Sequence, residues 1–293
     1  MAQSPAHQFG QIIGDVLEAA ILPLLEGFAA DHGLYLDKKG SRPCRPGRKC
    51  SWRDRHGNSH DLDFVLERGG TSDAIGMPAA FIECAWRRYT KHSRNKAQEI
   101  QGALEPLADS YRNLAPFKGV VLAGVFTAGA ISQLESLGFA VLYVPYESIV
   151  EAFAAVGIDA RFDETTSDRS FAQRVRAFKR LNSARRTELT QALLKKHSRD
   201  VATFLTSLAN SVSRQIERVI VLALHGRSAE AYTIDDAIRL VTAYSGDGRQ
   251  MPIERFEIEI RFNNGDSVRG SFSDKSAAIE FLKSYQPVLP IEP

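Results

Sequence analysis

The stretch Gly119-Val-Val-Leu-Ala-Gly-Val-Phe126 contains no polar side chain. A strand of that kind belongs inside a sheet covered on both faces, which is the setting of parallel strands. A second run, Phe139-Ala-Val-Leu-Tyr-Val144, follows a segment, Thr127 to Gly138, whose pattern predicts a short helix. Ser148 to Val156 predicts a further helix. Strand, helix, strand, helix in this order argues a parallel element and an α/β class.

The segments before it complete a core. Gln8 to Ala30 carries Ile12, Ile13, Val16, Leu17, Ala20, Ile21, Leu24 and Leu25 at helical spacing, so an amphipathic helix is expected. Pro23 predicts a kink or an early stop, and Gly33 suits the C-terminal cap. Asp61 to Glu67 reads as a short strand with an acidic start. Ala79 to Trp86 reads as a second strand, apolar except for Glu83, and the polar turn Arg68 to Pro78 makes the two a hairpin. Ser93 to Tyr111 predicts a helix.

From about Asp163 the chain becomes basic. Arg169 to Asn210 predicts a long helix, and Ser211 to Leu224 a second one continuing it. After Asp247-Gly248 the strictly alternating Phe256 to Phe262, the turn signal Asn263-Asn-Gly-Asp and the strand Ser267 to Ser273 lead into a helix, Lys275 to Tyr285. No internal repeat is visible. The expected organisation is a core over 1–160 with a mixed β-sheet flanked by helices, a basic helical region over 161–248, and a small ββα module over 249–293.

With 44% hydrophobic residues and a formal net charge of +2, composition excludes disordered, collagenous and low-complexity classes. No apolar run of about 18 residues occurs, so no transmembrane helix is expected. Met1 to Gln8 lacks the basic and apolar regions of a secretory signal. Three cysteines, Cys44, Cys50 and Cys84, fit a reducing cytoplasmic setting. Phosphate-binding glycine loops and a hydrolase nucleophile elbow are absent, so nucleotide cofactors are not expected.

The +2 is an average over separated charges. Residues 38–56 hold eight basic side chains against one acid, and residues 87–96 hold five against none. Between them lie Asp63 and Glu83, on strands expected to pair. Convergent carboxylates are the oxygen site that a hard cation such as Mg²⁺ takes, and bound there it would activate water and offset charge on a phosphodiester. An acid in the apolar run ending at Glu83 is costly unless paired or metal-bound. Asp61 and Asp63 at a strand start also suit a solvated turn.

Asp63, nineteen residues, then Glu83-Cys84-Ala85, set in the order helix, hairpin, strand, helix, parallel strand, resembles the PD-(D/E)XK nuclease superfamily. Glu83-Cys-Ala-Trp with Arg94-Asn-Lys-Ala-Gln-Glu99 looks like the restriction endonucleases that cut sites containing CCGG. The resemblance covers roughly residues 8 to 150. It implies a restriction-endonuclease-like fold and Mg²⁺-dependent cleavage of double-stranded DNA in a restriction or phage-defence system. It further implies Asp63 and Glu83 as metal ligands, with Glu99 an additional or replacement ligand. Glu18 on the first helix reads either as a solvent-facing acid or as an outer ligand, and Glu99 also reads as a helix-surface residue. The family's lysine position holds Ala85. Three readings of it stay open: the lysine has moved to the next helix, with Lys91 and Lys96 as candidates; the chain is a natural inactive relative; or the alanine is an engineered replacement.

Arg87, Arg88, Lys91 and Arg94 are expected to meet DNA phosphates beside that site. Arg42, Arg45, Arg48 and Arg53 are read as a DNA-contacting arm. Cys44, Cys50, His56 and His60 are zinc-ligand types, but their spacing departs from a zinc finger and the arm is the preferred reading. Cutting both strands of a duplex needs two sites, so a homodimer is expected. The alternatives are a catalytically inactive DNA-binding protein and a subunit of a larger defence complex.

Overall fold

The computed structural model describes residues 4–90, 93–224, 228–244, 255–263, 265 and 267–286. The chain divides into two compact units: residues up to 208 apart from 111–115, and residues 209–289 together with 111–115.

The first unit is α/β. Helix α1 (Pro5–Asp31) starts at Ser4, whose side chain accepts the His7 N–H at 3.2 Å. It buries Phe9, Ile13, Leu17, Ile21 and Leu25 along one stripe. It also runs through Pro23, where a kink or stop was expected. Pro23 is exposed, and the apolar stripe on either side carries the helix past the one bond the ring removes. Gly33, at φ +63, ends it in the left-handed conformation expected of a cap.

Five strands form a mixed sheet in the order β1-β4-β5-β6-β7: β1 (Leu34–Lys38), β4 (Phe64–Arg68), β5 (Met77–Arg87), β6 (Phe117–Gly124) and β7 (Ala140–Pro145). β1, β4 and β5 are antiparallel, and β5, β6 and β7 are parallel. The crossovers are α2 (Ser93–Ser110) and α3 (Ala128–Ser136), and α4 (Tyr146–Ala155) follows β7. Val120, Val121, Leu122 and Ala123 in β6 have no exposure, which is why this strand reads as unbroken apolar sequence. Two short strands, β2 (Cys50–Arg53) and β3 (Ser59–Leu62), pair as a hairpin within the basic segment.

The single helix expected over 169–210 is three: α5 (Asp168–Lys179), α6 (Ser183–Lys195) and α7 (Ser198–Val212). Asn182 breaks the run and caps α6, accepting the Arg185 N–H at 2.9 Å. α5 and α6 pack on α1, and α6 also packs on α4. Phe171 of α5 meets Phe9 and Phe162 edge-on or tilted. These helices therefore finish the first unit, and a boundary at 160 is not supported.

The second unit corrects the sequence reading further. Ser211 to Leu224 is not a second helix; it holds β8 (Ile216–Ala223). With β9 (Ser228–Ala231), β10 (Phe256–Phe262) and β11 (Ser267–Phe272) it makes an antiparallel sheet in the order β11-β10-β8-β9. Helices α8 (Ile234–Ala243) and α9 (Lys275–Lys283) follow β9 and β11. The chain thus runs ββα twice, with β8 and β10 paired at the centre through Val219–Ile260, Val221–Ile258 and Ala223–Phe256. Both helices open on a side-chain cap, Thr233 and Asp274. Ala237-Ile238 through Tyr244 and Ala278-Ile279 through Tyr285 occupy equivalent places, so a repeat is present. The module expected over 249–293 is one half of it, and the boundary at 248 falls inside one compact unit. Asn264 and Asp266 of the predicted turn lie outside the described residues.

Among the described residues no helix is long and apolar enough to cross a membrane.

Candidate active site

The pairing of β4 with β5 sets the geometry. Phe64 lies opposite Ile82, so Asp63, at the bend between β3 and β4, comes level with Glu83 as β5 leaves the core. Asp63 Oδ2 accepts the Cys84 backbone N–H at 2.7 Å, and the Glu83 carboxylate accepts the Asp63 N–H. Glu83 Oε1 is buried and has no hydrogen-bond partner. Leaving such an oxygen unpaired is expensive, so a water or a bound ion is the natural partner for it.

Glu18 of α1 joins this pair. Burial, then Asp63 and Asp15, push its carboxyl up to about 7. Burial, then Asp63, push Glu83 up to about 8, and Glu18 adds to the rise. Burial also raises Asp63. Three acids on three elements therefore feel one another in a covered site. Lys96 of α2 opposes them, lowering Asp63 and Glu83. Lys39, just beyond β1, opposes Glu18 and Asp63. Lys39 was not among the expected site residues, because nothing in its local sequence relates it to acids on other elements.

A cleft of about 590 Å³ adjoins this centre, with Gly10, Gln11 and Gly14 of α1 on one wall and Lys96 and Glu99 of α2 on another. Ala85 lies on its β5 side and is 3% exposed. Glu99 faces cations: its Oε2 is 3.2 Å from Lys96 Nζ and 3.6 Å from an Arg87 nitrogen. No direct tie from Glu99 to Asp63 or Glu83 is among these contacts, so a ligand role for Glu99 is not supported as the side chain stands.

The basic segment is not one DNA-facing arm. Arg42 and Arg45 are buried, at 3% and 4% exposure. Arg42 grips Glu67 with two bonds, 2.6 and 2.9 Å, and lies 3.0 Å from Asp37. Arg45 donates to Asp37 at 3.1 and 3.2 Å. Two cations and two acids neutralise one another inside the fold, which removes Arg42 and Arg45 from the DNA-contacting set. Arg48 and Arg53 are exposed. Arg88 is also committed: it donates twice to the Phe162 carbonyl, at 2.9 and 2.7 Å, and lies 4.0 Å over the Tyr146 ring. Arg94 is exposed and Lys91 lies outside the described residues.

The zinc-type residues have other uses. The Cys50 thiol donates to Asp37 at 3.3 Å, and His60 pairs with Asp54 at 3.1 Å. Cys44 is a free thiol and His56 is exposed. Among the described residues no group of three or more His, Cys, Asp and Glu side chains is assembled as a ready metal cage. That is compatible with Mg²⁺, which uses one or two carboxylates and completes its shell with water and substrate phosphate. The orphaned Glu83 oxygen beside Asp63 fits such an ion.

No protein-family model and no curated protein matches the chain. Among solved structures it is similar to a protein of unknown function, AF1548, with 8% identity over 67% of this chain and 98% of that chain and a TM-score of 0.29. A likeness that slight carries no argument.

Proposed function

We propose that the chain is a Mg²⁺-dependent endonuclease acting on double-stranded DNA, of the restriction or phage-defence type, and that it works as a homodimer. One observation carries this reading: Asp63 and Glu83 lie side by side with a buried, unpartnered Glu83 oxygen between strand and cleft, and the charges of Glu18 and Lys96 bear on the pair.

Asp63 and Glu83 would hold the ion, with Glu18 as an outer ligand. Bound there, Mg²⁺ supplies a Lewis acid and a water of lowered pKa. Lys96 does the work that the family's lysine does from the position of Ala85: its ammonium stands beside the acids, where it offsets charge growing on the phosphate. This favours the reading in which the lysine has moved to α2. Arg87 at the end of β5 and the exposed Arg48, Arg53 and Arg94 supply charge for the DNA backbone.

The alanine at 85 also supports a second reading, a DNA-binding protein that does not cut. Nicking of supercoiled plasmid with Mg²⁺ and with EDTA separates the two. Metal-dependent nicking by the chain itself, lost in Lys96→Ala and Glu83→Gln, is the expected result. Nicking only by Ala85→Lys would assign the chain to the inactive class. Cleavage by none of them, with DNA binding intact, would count against the enzyme.

A further inference from the structure

Glu99 is an acid placed among cations at the rim of a cleft that should receive polyanionic DNA. It lies three residues beyond Lys96, in the second turn of α2. Its carboxylate reaches Lys96 at 3.2 Å and Arg87, on a different element, at 3.6 Å. All three line the same cleft. The two cations are the more covered, at 22% and 34% side-chain exposure, while Glu99 stands 58% in solvent. The carboxylate is therefore the member of the trio most open to exchange with solvent ions. An exposed ion pair of this looseness is held weakly. A phosphate offered to the same two cations makes charge-assisted bonds in its place.

We propose that Arg87 and Lys96 form a backbone-phosphate subsite beside the acid cluster, and that Glu99 fills it in the free protein as an internal stand-in for phosphate. The ligand class is a DNA phosphodiester. The consequence is selectivity: a weak or single anion does not displace Glu99, whereas a strand anchored elsewhere in the cleft does. The inference rests on the nuclease reading for its substrate, but not on catalysis.

The test is binding of a fluorescent DNA duplex, followed by anisotropy in EDTA so that nothing is cut. Glu99→Gln keeps the shape of the side chain and removes its charge. It should bind roughly fivefold tighter, the upper worth of an exposed pair. Asp109→Asn makes the same charge change near the far end of α2, where Asp109 pairs with Arg55, and should bind as the parent does. Arg87→Ala should weaken binding, and Glu99→Gln should gain less in that background. Equal gains from Glu99→Gln and Asp109→Asn, or no gain from Glu99→Gln, would overturn the subsite while leaving the nuclease reading standing. The predicted binding pattern in a chain that never nicks plasmid would sink the nuclease and leave the subsite. A chain with no DNA binding at all would overturn both.

Discussion

Asp63 and Glu83 are tied at the mouth of β5: Asp63 Oδ2 accepts the N–H of Cys84, the residue after Glu83, and the Glu83 carboxylate accepts the N–H of Asp63. Asp63 sits at the bend that opens β4, one step beyond the Phe64–Ile82 pair, so sheet pairing brings the two acids level and these bonds hold them there. A site built that way is stiff before any ligand arrives. It is also repulsive, because the same pairing keeps two carboxylates together under cover.

The repulsion predicts how stability follows pH. Glu18 rises to about 7 and Glu83 to about 8, both from an ordinary 4.5. Between those values the folded chain keeps protons that the unfolded chain has released, so stability falls as pH rises. The metal-free protein should lose melting temperature from pH 5 to pH 8.5 more steeply than Glu83→Gln does. At pH 8 that variant should melt higher by about 2–4 °C, the response to ~1 kcal/mol in a unit of this size. Mg²⁺ should raise the parent's melting temperature more at pH 8 than at pH 6, since it takes the deprotonated acids. Parallel curves for parent and variant would refute the coupling.

Arg42 predicts a different contrast. Its guanidinium is shared by Glu67, Asp37 and the carbonyls of Thr71 and Ala74. Arg42→Ala strands buried acids and should cost about 3–5 kcal/mol in urea unfolding. Arg48→Ala and Arg53→Ala, at exposed positions of the same basic run, should stay within about 0.5 kcal/mol. If these two meet DNA phosphates, each loss should instead reduce the salt slope of DNA binding by about 1.

These residues mark where sequence reading succeeds and where it stops. β5 and β6 were legible because burial on both faces writes itself as apolar runs, and β7 because its run is apolar although only Leu142 and Val144 are buried. Glu83 was legible because an acid in such a run has no cheap structural use. Arg42 and Arg45 were misread because their partners, Asp37 and Glu67, come together only through the pairing of β1 with β4. β8 was misread because Val212, Ile216, Val219, Ile220 and Ala223 fit a helical spacing. The unbroken Val219-Ile-Val221 was the better signal, since β-branched residues favour a strand. Glu18 could be placed near the acids only once α1 had a position.

Gly124 ties the parallel sheet to the cleft. It ends β6 at φ +100, where an added Cβ would run into the Arg87 carbonyl oxygen and the Trp86 ring. Val125 donates its N–H to that same carbonyl at 2.8 Å. Gly124→Ala should therefore cost about 2 kcal/mol or more through strain and displaced backbone. Because Arg87 moves with it, DNA affinity should fall too, which anisotropy would read. A stable variant with unchanged affinity would show that the end of β5 tolerates the shift.

The doubled ββα unit makes the last prediction, because equivalent places in a repeat should respond alike. Ala237 of α8 and Ala278 of α9 both have no exposure and lie in the same core as Val219, Val221, Ile258 and Ile260. A small residue there lets each helix sit close to the sheet. Ala237→Leu and Ala278→Leu should each overpack that core and cost roughly 1–3 kcal/mol. Arg239→Ala and Glu280→Ala, two residues further along the exposed side of each helix, should stay within about 0.5 kcal/mol. Urea unfolding of the four variants checks this. A large loss from one alanine and none from its counterpart would mean that the two halves share a chain path but not a packing scheme.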